Sequence, residues 1–85
     1  MAVSRRSLSA MPKHYFEICD RFKLVRLEEK LTQEDFAKAI GLTESYIKAL
    51  ENRNSSPNIF SIQQLHKHFG RNYDWIIDGK GKKKG

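Results

Sequence analysis

Two short segments, each preceded by a threonine, lie on either side of a single glycine, Gly41. This arrangement constrains the fold more than any other feature of the sequence. Thr32 precedes the segment from Gln33 to about Ile40, and Thr43 precedes residues 44–52. A threonine hydroxyl can accept hydrogen bonds from the free amides at the start of a helix, whereas glycine readily adopts the left-handed conformation that ends one. The sequence therefore predicts two short helices joined by a turn of about three residues.

Three further helices are predicted from apolar residues that recur at helical rather than strand spacing. The first, from Tyr15 to Glu29, carries its apolar residues at Phe16, Ile18, Phe22, Val25 and Leu27. The others are 59–69, capped by Asn58 and ended by Gly70, and Tyr73 to Ile77, capped by Asn72 and ended by Gly79. A chain of 85 residues with this pattern is expected to form one all-α domain.

Positive charge is concentrated at the two ends of the chain. Of 16 lysines and arginines, seven lie in residues 1–13 and 80–85, which contain no acidic residue, so residues 14–79 hold nine basic residues against ten acidic ones. We interpret 1–13 as a flexible basic N-terminal arm and 80–85 as a solvated basic C-terminal tail flanking a domain at 14–79. The net charge of +6 is therefore weak support for a polyanionic partner, although the tail has the alternative role of strengthening nonspecific DNA binding.

The sequence lacks the residue groupings that catalysis, metal binding or membrane insertion require. Its one cysteine, Cys19, has no partner for a disulfide and is expected to be a small buried residue. His66 and His68 would project about 200° apart on a helix, which argues against a metal site that joins them with His14. No apolar run approaches the roughly 18 residues that span a bilayer. We therefore expect no enzymatic activity, no cofactor, no small-molecule substrate, no membrane partner and a cytoplasmic location.

The segment 33–52 combines small and apolar residues at positions that fix the angle between its two helices. Ala37 is small where the helices are expected to cross, and Gly41 allows the chain to reverse. The residues that would lock the crossing are Ile40, Leu42, Ile47 and Leu50. A rigid crossing would project the second helix away from the body, where it could enter a groove about 12 Å wide.

The segments LTQEDFAKAIGLTESYIKALEN, SPN and DWIIDG resemble the phage-repressor and Cro-like (XRE-type) helix-turn-helix proteins over about residues 20–79. This resemblance implies a lambda-repressor-like fold, which is a compact bundle of five helices. It also implies a small transcriptional regulator, encoded by a bacterium or phage, that binds a double-stranded DNA operator. We expect a repressor that acts as a homodimer through the helix 4 to 5 region, because one such module contacts few base pairs.

The resemblance, carried over position by position, implies which residues meet DNA and which hold the fold. The DNA-contacting residues would be Gln33 at a phosphate, Glu44, Ser45, Lys48 and Ala49 at the bases, Asn52, Arg53 and Asn54 at the sugar-phosphate backbone, and Thr43 and Tyr46 beside them. Helical spacing agrees, since residues 44 and 48 and residues 45, 49 and 52 form adjacent rows. The resemblance also implies a buried ion pair between Arg26 and Glu51.

Several of these positions have alternative interpretations. Ser45 and Lys48 could belong to an ordinary solvated helix face, and Glu44 could be a favourable charge at the helix N-terminus rather than an acceptor for cytosine. Tyr46 either touches phosphate or packs on helix 4. Arg53 stands where the family usually has glycine, so it must adopt a left-handed conformation or change the path of the loop.

Two other functions are compatible with the sequence. The near-neutral body and the acidic Glu44 suit an antitoxin-like or adaptor protein-interaction module that keeps the helical fold but binds DNA weakly. The segment DWIIDGKG resembles the point at which longer repressors leave their DNA-binding domain, so the chain could be the N-terminal domain of such a protein. Trp75, Ile76 and Ile77 are expected to complete the core, or in part to form a dimer contact.

Overall fold

The computed structural model describes residues 13–85, which fold into five helices around one core. Their bounds are α1 Lys13–Glu28, α2 Gln33–Ile40, α3 Glu44–Glu51, α4 Ile59–Phe69 and α5 Tyr73–Asp78. Within this part of the chain no strand forms, and the predicted all-α fold of five helices is confirmed. The basic arm predicted for residues 1–13 lies outside the described residues except for Lys13, which begins α1.

Local hydrogen bonds explain where the three middle helices begin. The hydroxyl of Thr32 accepts a hydrogen bond from the Asp35 amide, and that of Thr43 accepts one from the Tyr46 amide, each at 3.1 Å. Asn58 caps α4 through a reciprocal pair of bonds with the third residue of the helix. These starts lie where the sequence predicts them, because a cap needs only the residues of its own first turn.

The turn between α2 and α3 closes at Gly41, whose φ of 72° lies in the left-handed region. A methyl group there would meet only the Gln64 side chain, at 3.6 Å, so the backbone conformation rather than the space available favours glycine. The Leu42 amide donates to the Ala37 carbonyl at 2.9 Å. From α4, Gln64 Nε2 donates to the Ile40 carbonyl at 3.0 Å, which ties the end of α2 to its neighbour.

The core is apolar and receives residues from every helix. Its buried members are Ile18, Cys19, Phe22, Val25, Phe36, Ala37, Ile40, Ile47, Leu50, Leu65, Trp75 and Ile76. Burial raises the pKa of the Cys19 thiol, and the nearby Asp20 carboxylate acts in the same direction. Leu27 does not join this core and is 53% exposed. It lies two residues from Val25 and so projects to the opposite side of α1.

The C-terminal segment differs from the solvated tail that the sequence predicts. Residues 82–84, here called the C-terminal strap, return alongside the α4–α5 connection, and an antiparallel bridge joins Arg71 to Lys84. The backbone amide of Asn72 donates to one strap carbonyl at 2.9 Å, and its side chain donates to another at 3.1 Å. Asn72 is the N-cap residue of α5, as the sequence predicts, but its side chain makes no cap hydrogen bond and holds the strap instead.

Side-chain charges hold the strap against the end of α1. Lys83 Nζ lies 2.5 Å from a Glu28 carboxylate oxygen and 5.5 Å from the centre of the Trp75 ring. Lys83, and after it Arg71, holds the pKa of Glu28 below its ordinary value. The acidic end of α1 compensates the charge of the basic segment, which explains why the segment does not remain apart from the domain.

Arg71 is buried beneath the strap, with only 2% of its surface exposed. Its Nη2 lies 3.0 Å from Glu28 and 3.1 Å from Glu29, and its Nη1 donates to the Phe69 carbonyl at 2.8 Å. Its Nε has no hydrogen-bond partner among the described residues. The buried Arg71 thus links the α4–α5 connection to the end of α1 through its ion pairs with the partly exposed Glu28 and Glu29.

Candidate functional site

Helix α3 presents a polar stripe to solvent and an apolar face to the core. The stripe consists of Glu44, Ser45, Lys48 and Asn52, all exposed, and of Ala49, which is partly exposed. On the opposite side Ile47 and Leu50 are 1% and 0% exposed. The residues that the resemblance assigns to the bases therefore lie together on one accessible surface.

Two residues at the start of α3 have structural contacts. The Thr43 hydroxyl is committed to the cap of the helix. The ring of Tyr46 packs against the core, and its hydroxyl donates to the Ser56 carbonyl at 2.9 Å, in the loop before α4. Of the two alternatives for Tyr46, the observed contacts correspond to packing toward α4.

A shared carboxylate fixes α1, α2 and α3 relative to one another. Glu51, the last residue of α3, accepts hydrogen bonds from Arg26 Nε at 2.6 Å, from Arg26 Nη2 at 3.1 Å and from Gln33 Nε2 at 3.0 Å. The Arg26 and Glu51 side chains are only 14% and 5% exposed. Arg26 Nη1 donates further to the Leu31 carbonyl at 2.8 Å. The direction in which the stripe projects is therefore set by this cluster.

Gln33 lies at the N-terminus of α2, where the positive end of the helix dipole favours a bound anion. Its side-chain amide donates to Glu51, which leaves one amide hydrogen and the backbone for any further partner. Glu34 and Asp35 occupy the same first turn and oppose a phosphate there. Gln33 is thus one of the donors to the Glu51 carboxylate. The sequence assigned it only a contact with phosphate and did not predict this hydrogen bond.

Similar ion pairs, spaced four residues apart, lie on α2 and α3. Lys48 Nζ lies 3.6 Å from a Glu44 carboxylate oxygen, and Lys38 Nζ lies 3.2 Å from one of Glu34. All four side chains are at least 45% exposed. Exposed pairs of this kind contribute little to stability, so the Lys48 ammonium is able to leave Glu44 for another acceptor.

Arg53, which follows α3 closely, adopts a left-handed conformation with a φ of 62°. Its amide donates to the Leu50 carbonyl at 3.0 Å, and the Asn54 amide donates to the Ala49 carbonyl at 2.8 Å. This is the hydrogen-bond pattern that glycine usually supports after a helix. Of the two alternatives, the arginine therefore accepts the strained conformation and the loop keeps its path.

The Arg53 side chain is held by α1. Its Nε and Nη2 lie 3.2 and 2.5 Å from the two carboxylate oxygens of Asp20, and the guanidinium lies 5.2 Å from the centre of the Phe16 ring. The Asp20 carboxylate raises the pKa of Arg53 above its ordinary value. Sequence reasoning missed both partners. Their spacing places Phe16 and Asp20 on one face of α1, but no local pattern indicates that the loop after α3 lies over that face.

An apolar groove of about 650 Å³ lies between α1 and the start of α4. Its apolar lining comprises Tyr15, Ile18, Pro57, Ile59, Phe60, Ile62 and Ile77. Ile59 and Phe60 are 74% and 50% exposed. The sequence placed Trp75, Ile76 and Ile77 either in the core or in a dimer contact. Trp75 and Ile76 are buried in the core, and of the three only Ile77 borders the groove. Exposed apolar surface of this kind is typical of a protein contact.

Other parts of the described chain offer less for a functional site. Between residues 13 and 85, no helix has the length and apolar character needed to cross a bilayer. His66 stacks on Tyr73 with ring centres 4.1 Å apart, and its Nδ1 lies 2.8 Å from the Arg71 carbonyl oxygen. Over the same residues, no group of three histidine, cysteine or acidic side chains is placed to hold a metal ion.

A family model described as Helix-turn-helix matches residues 22–76, a span that includes all of α2, α3 and α4. This match covers most of the chain and confirms the resemblance found in the sequence. No curated protein and no solved structure matches the chain.

Proposed function

The chain belongs to the helix-turn-helix family of DNA-binding regulators, and we propose that it binds a specific double-stranded DNA sequence with α3 in the major groove. The observation that carries this proposal is the exposure of Glu44, Ser45 and Lys48 opposite the buried Ile47 and Leu50. A helix presented in this way can place side chains against base edges while the body of the domain stays outside the groove.

Each residue of the stripe suits a different contact. Lys48 can donate to guanine O6 or N7, Ser45 can donate or accept, and Glu44 can accept from cytosine N4. Ala49 offers a methyl group to the thymine methyl. The backbone contacts fall to Gln33, Asn52, Arg53 and Asn54, while Thr43 and Tyr46 position the start of α3.

The protein acts, in this proposal, as a homodimeric repressor on a two-fold-related operator in the cytoplasm. A single module of this kind buries only on the order of 600–1,000 Å² on DNA, whereas a dimer doubles the contact. The groove beside Ile59 and Phe60 supports a second copy as the occupant, because it is apolar on its accessible side and takes part of its lining from α4 and from Ile77 of α5. Repression follows where the operator overlaps a promoter.

We expect Lys48→Met to bind its operator about 10–100-fold more weakly than the wild type, because a base-edge contact is lost. The operator is obtained first by selection from random duplex DNA, and a two-fold-symmetric consensus is expected. Fluorescence anisotropy then measures binding to the selected site and to a scrambled duplex. The loss on the scrambled duplex should be smaller, since there only one charge is removed.

The matched control is Lys38→Met, because Lys38 forms the same kind of ion pair with Glu34 but lies on α2, outside the stripe. Losses of equal size in the two variants would contradict the role of Lys48 in reading bases. If the wild-type protein enriches no sequence, the proposal of specific DNA binding itself is wrong.

We expect Phe60→Asp to weaken self-association roughly 30-fold, because a charge would enter the apolar contact. Sedimentation equilibrium measures the monomer–dimer constant. Leu27→Asp is the control, since Leu27 is a comparably exposed apolar residue, 53% against 50%, outside the groove. A wild type that stays monomeric at operator-binding concentrations, or equal effects of the two variants, would contradict dimerisation through this groove.

One observation favours a second candidate, a protein-interaction module with weak DNA affinity. The cations around α2 and α3 are paired with carboxylates at Lys38–Glu34, Lys48–Glu44 and Arg53–Asp20. A surface neutralised in this way attracts polyanions less than a basic one. The selection experiment separates the two functions, because an interaction module would enrich no DNA sequence.

A further inference from the structure

We propose that Asp20 withholds the charge of Arg53 from DNA phosphates and thereby lowers binding to sequences other than the operator. This inference rests on the proposed function, since it assumes that the loop after α3 meets the DNA backbone. Asp20 lies on α1, outside the motif of residues 33–52, and in this proposal it helps to set the specificity of DNA binding.

In the Arg53–Asp20 pair, the carboxylate already holds the guanidinium in the way that a phosphate would. Both oxygens of Asp20 face the Nε and Nη2 edge of Arg53, at 3.2 and 2.5 Å. A phosphate would use the same edge for its own bidentate contact. The Arg53 Cζ also lies over the Phe16 ring, 5.2 Å from its centre, which is a second contact with α1.

The backbone contributes to this placement. Arg53 is fixed in the left-handed conformation by the bond from its amide to the Leu50 carbonyl at 3.0 Å. The direction of the Arg53 Cα–Cβ bond is therefore fixed, and from there the side chain reaches the Asp20 carboxylate on α1. The family usually has glycine at this position, and a glycine would carry no charge for Asp20 to neutralise.

Charge neutralisation has a direct effect on nonspecific binding. Affinity for arbitrary DNA comes almost entirely from cations that contact phosphates and release condensed counterions, and an arginine held by a carboxylate must first leave that carboxylate to do so. The side chains of Arg53 and Asp20 are 49% and 50% exposed, so the pair is accessible and can open when a phosphate is held in the right place. Asp20 thus penalises random DNA more than an operator that fixes the phosphate by its other contacts.

The test compares the full chain with Asp20→Asn, which keeps the size of the side chain and removes its charge. We expect the variant to bind a scrambled duplex roughly fivefold more tightly near 0.1 M salt, with a slope of log affinity against log salt steeper by about 0.9. The gain on the selected operator should be smaller, so the ratio of specific to nonspecific affinity falls.

Two variants separate this effect from a change of net charge. Asp74→Asn removes one exposed carboxylate from α5 and should leave the salt slope unchanged. The double variant Asp20→Asn with Arg53→Met should lose the gain, because no released arginine remains. Circular dichroism checks that each variant is folded.

An unchanged salt slope in Asp20→Asn would overturn the inference, as would a gain that persists in the double variant. Weaker binding of Asp20→Asn to both duplexes would also overturn it, since Asp20 would then position Arg53 for DNA rather than compete with it. These outcomes differ from failure of the proposed function, in which the wild type itself selects no operator.

Discussion

Glu51→Ala is expected to lower the free energy of unfolding by about 3–5 kcal/mol, the loss typical of removing one partner of a buried ion pair. Arg26 would be left with a buried charge, since its side chain is only 14% exposed. Gln33 would also lose its acceptor. Domains of this size are stable by only about 5–15 kcal/mol, so much of the margin would disappear.

Urea unfolding followed by circular dichroism measures this loss. The control is Glu34→Ala, which removes a carboxylate from an exposed pair and should cost less than about 1 kcal/mol. DNA binding of Glu51→Ala should fall as well, in proportion to the unfolded fraction and to any reorientation of α3. Equal destabilisation by the two substitutions would show that the Glu51 cluster does not hold the three helices together.

Arg71→Met is expected to cost about 2–3 kcal/mol, less than the Glu51 substitution, because its carboxylate partners can regain water. Glu28 and Glu29 are each 30% exposed, and Arg71 Nε makes no hydrogen bond that could be lost. The substitution should also release the C-terminal strap, since Arg71 and Lys83 share the Glu28 carboxylate.

Hydrogen exchange at the Asn72 amide reports on the strap directly, because that amide donates to the Lys83 carbonyl. Its exchange should become faster in Arg71→Met by more than the change in global stability explains. Lys67→Met, at an exposed cation on α4, should leave both stability and exchange nearly unchanged. If the Asn72 amide stays protected in Arg71→Met, the strap is held by its backbone bonds alone.

Apart from the Arg26–Glu51 ion pair, which only the family resemblance implied, the parts of the fold that sequence predicted correctly are those decided within one helical turn. Thr32 and Thr43 cap helices because each hydroxyl bonds an amide three residues away, and Gly41 ends a helix by its own backbone freedom. The stripe on α3 follows from the same periodicity that buries Ile47 and Leu50. Such patterns can be read without knowledge of the tertiary arrangement.

The contacts that sequence did not predict join residues far apart in the chain. Asp20 and Arg53 are separated by 33 positions, and Glu28 and Lys83 by 55. A charged residue in a helical pattern is usually a solvated one, so nothing local distinguishes these partners from ordinary surface charge. Asn72 illustrates this: it occupies the N-cap position of α5, but its side chain donates to a carbonyl of the returning strap and does not cap the helix.

The Glu51 carboxylate has a consequence for protein engineering. Although residues 33–52 contain both helices of the motif and its turn, one of the two donors to Glu51 is Arg26, which lies outside that range. A graft of the twenty-residue unit onto another scaffold would therefore carry a buried acid without its counter-ion. A transplantable version must bring its own arginine on an adjoining helix, or replace Glu51 and accept a looser angle for the reading helix.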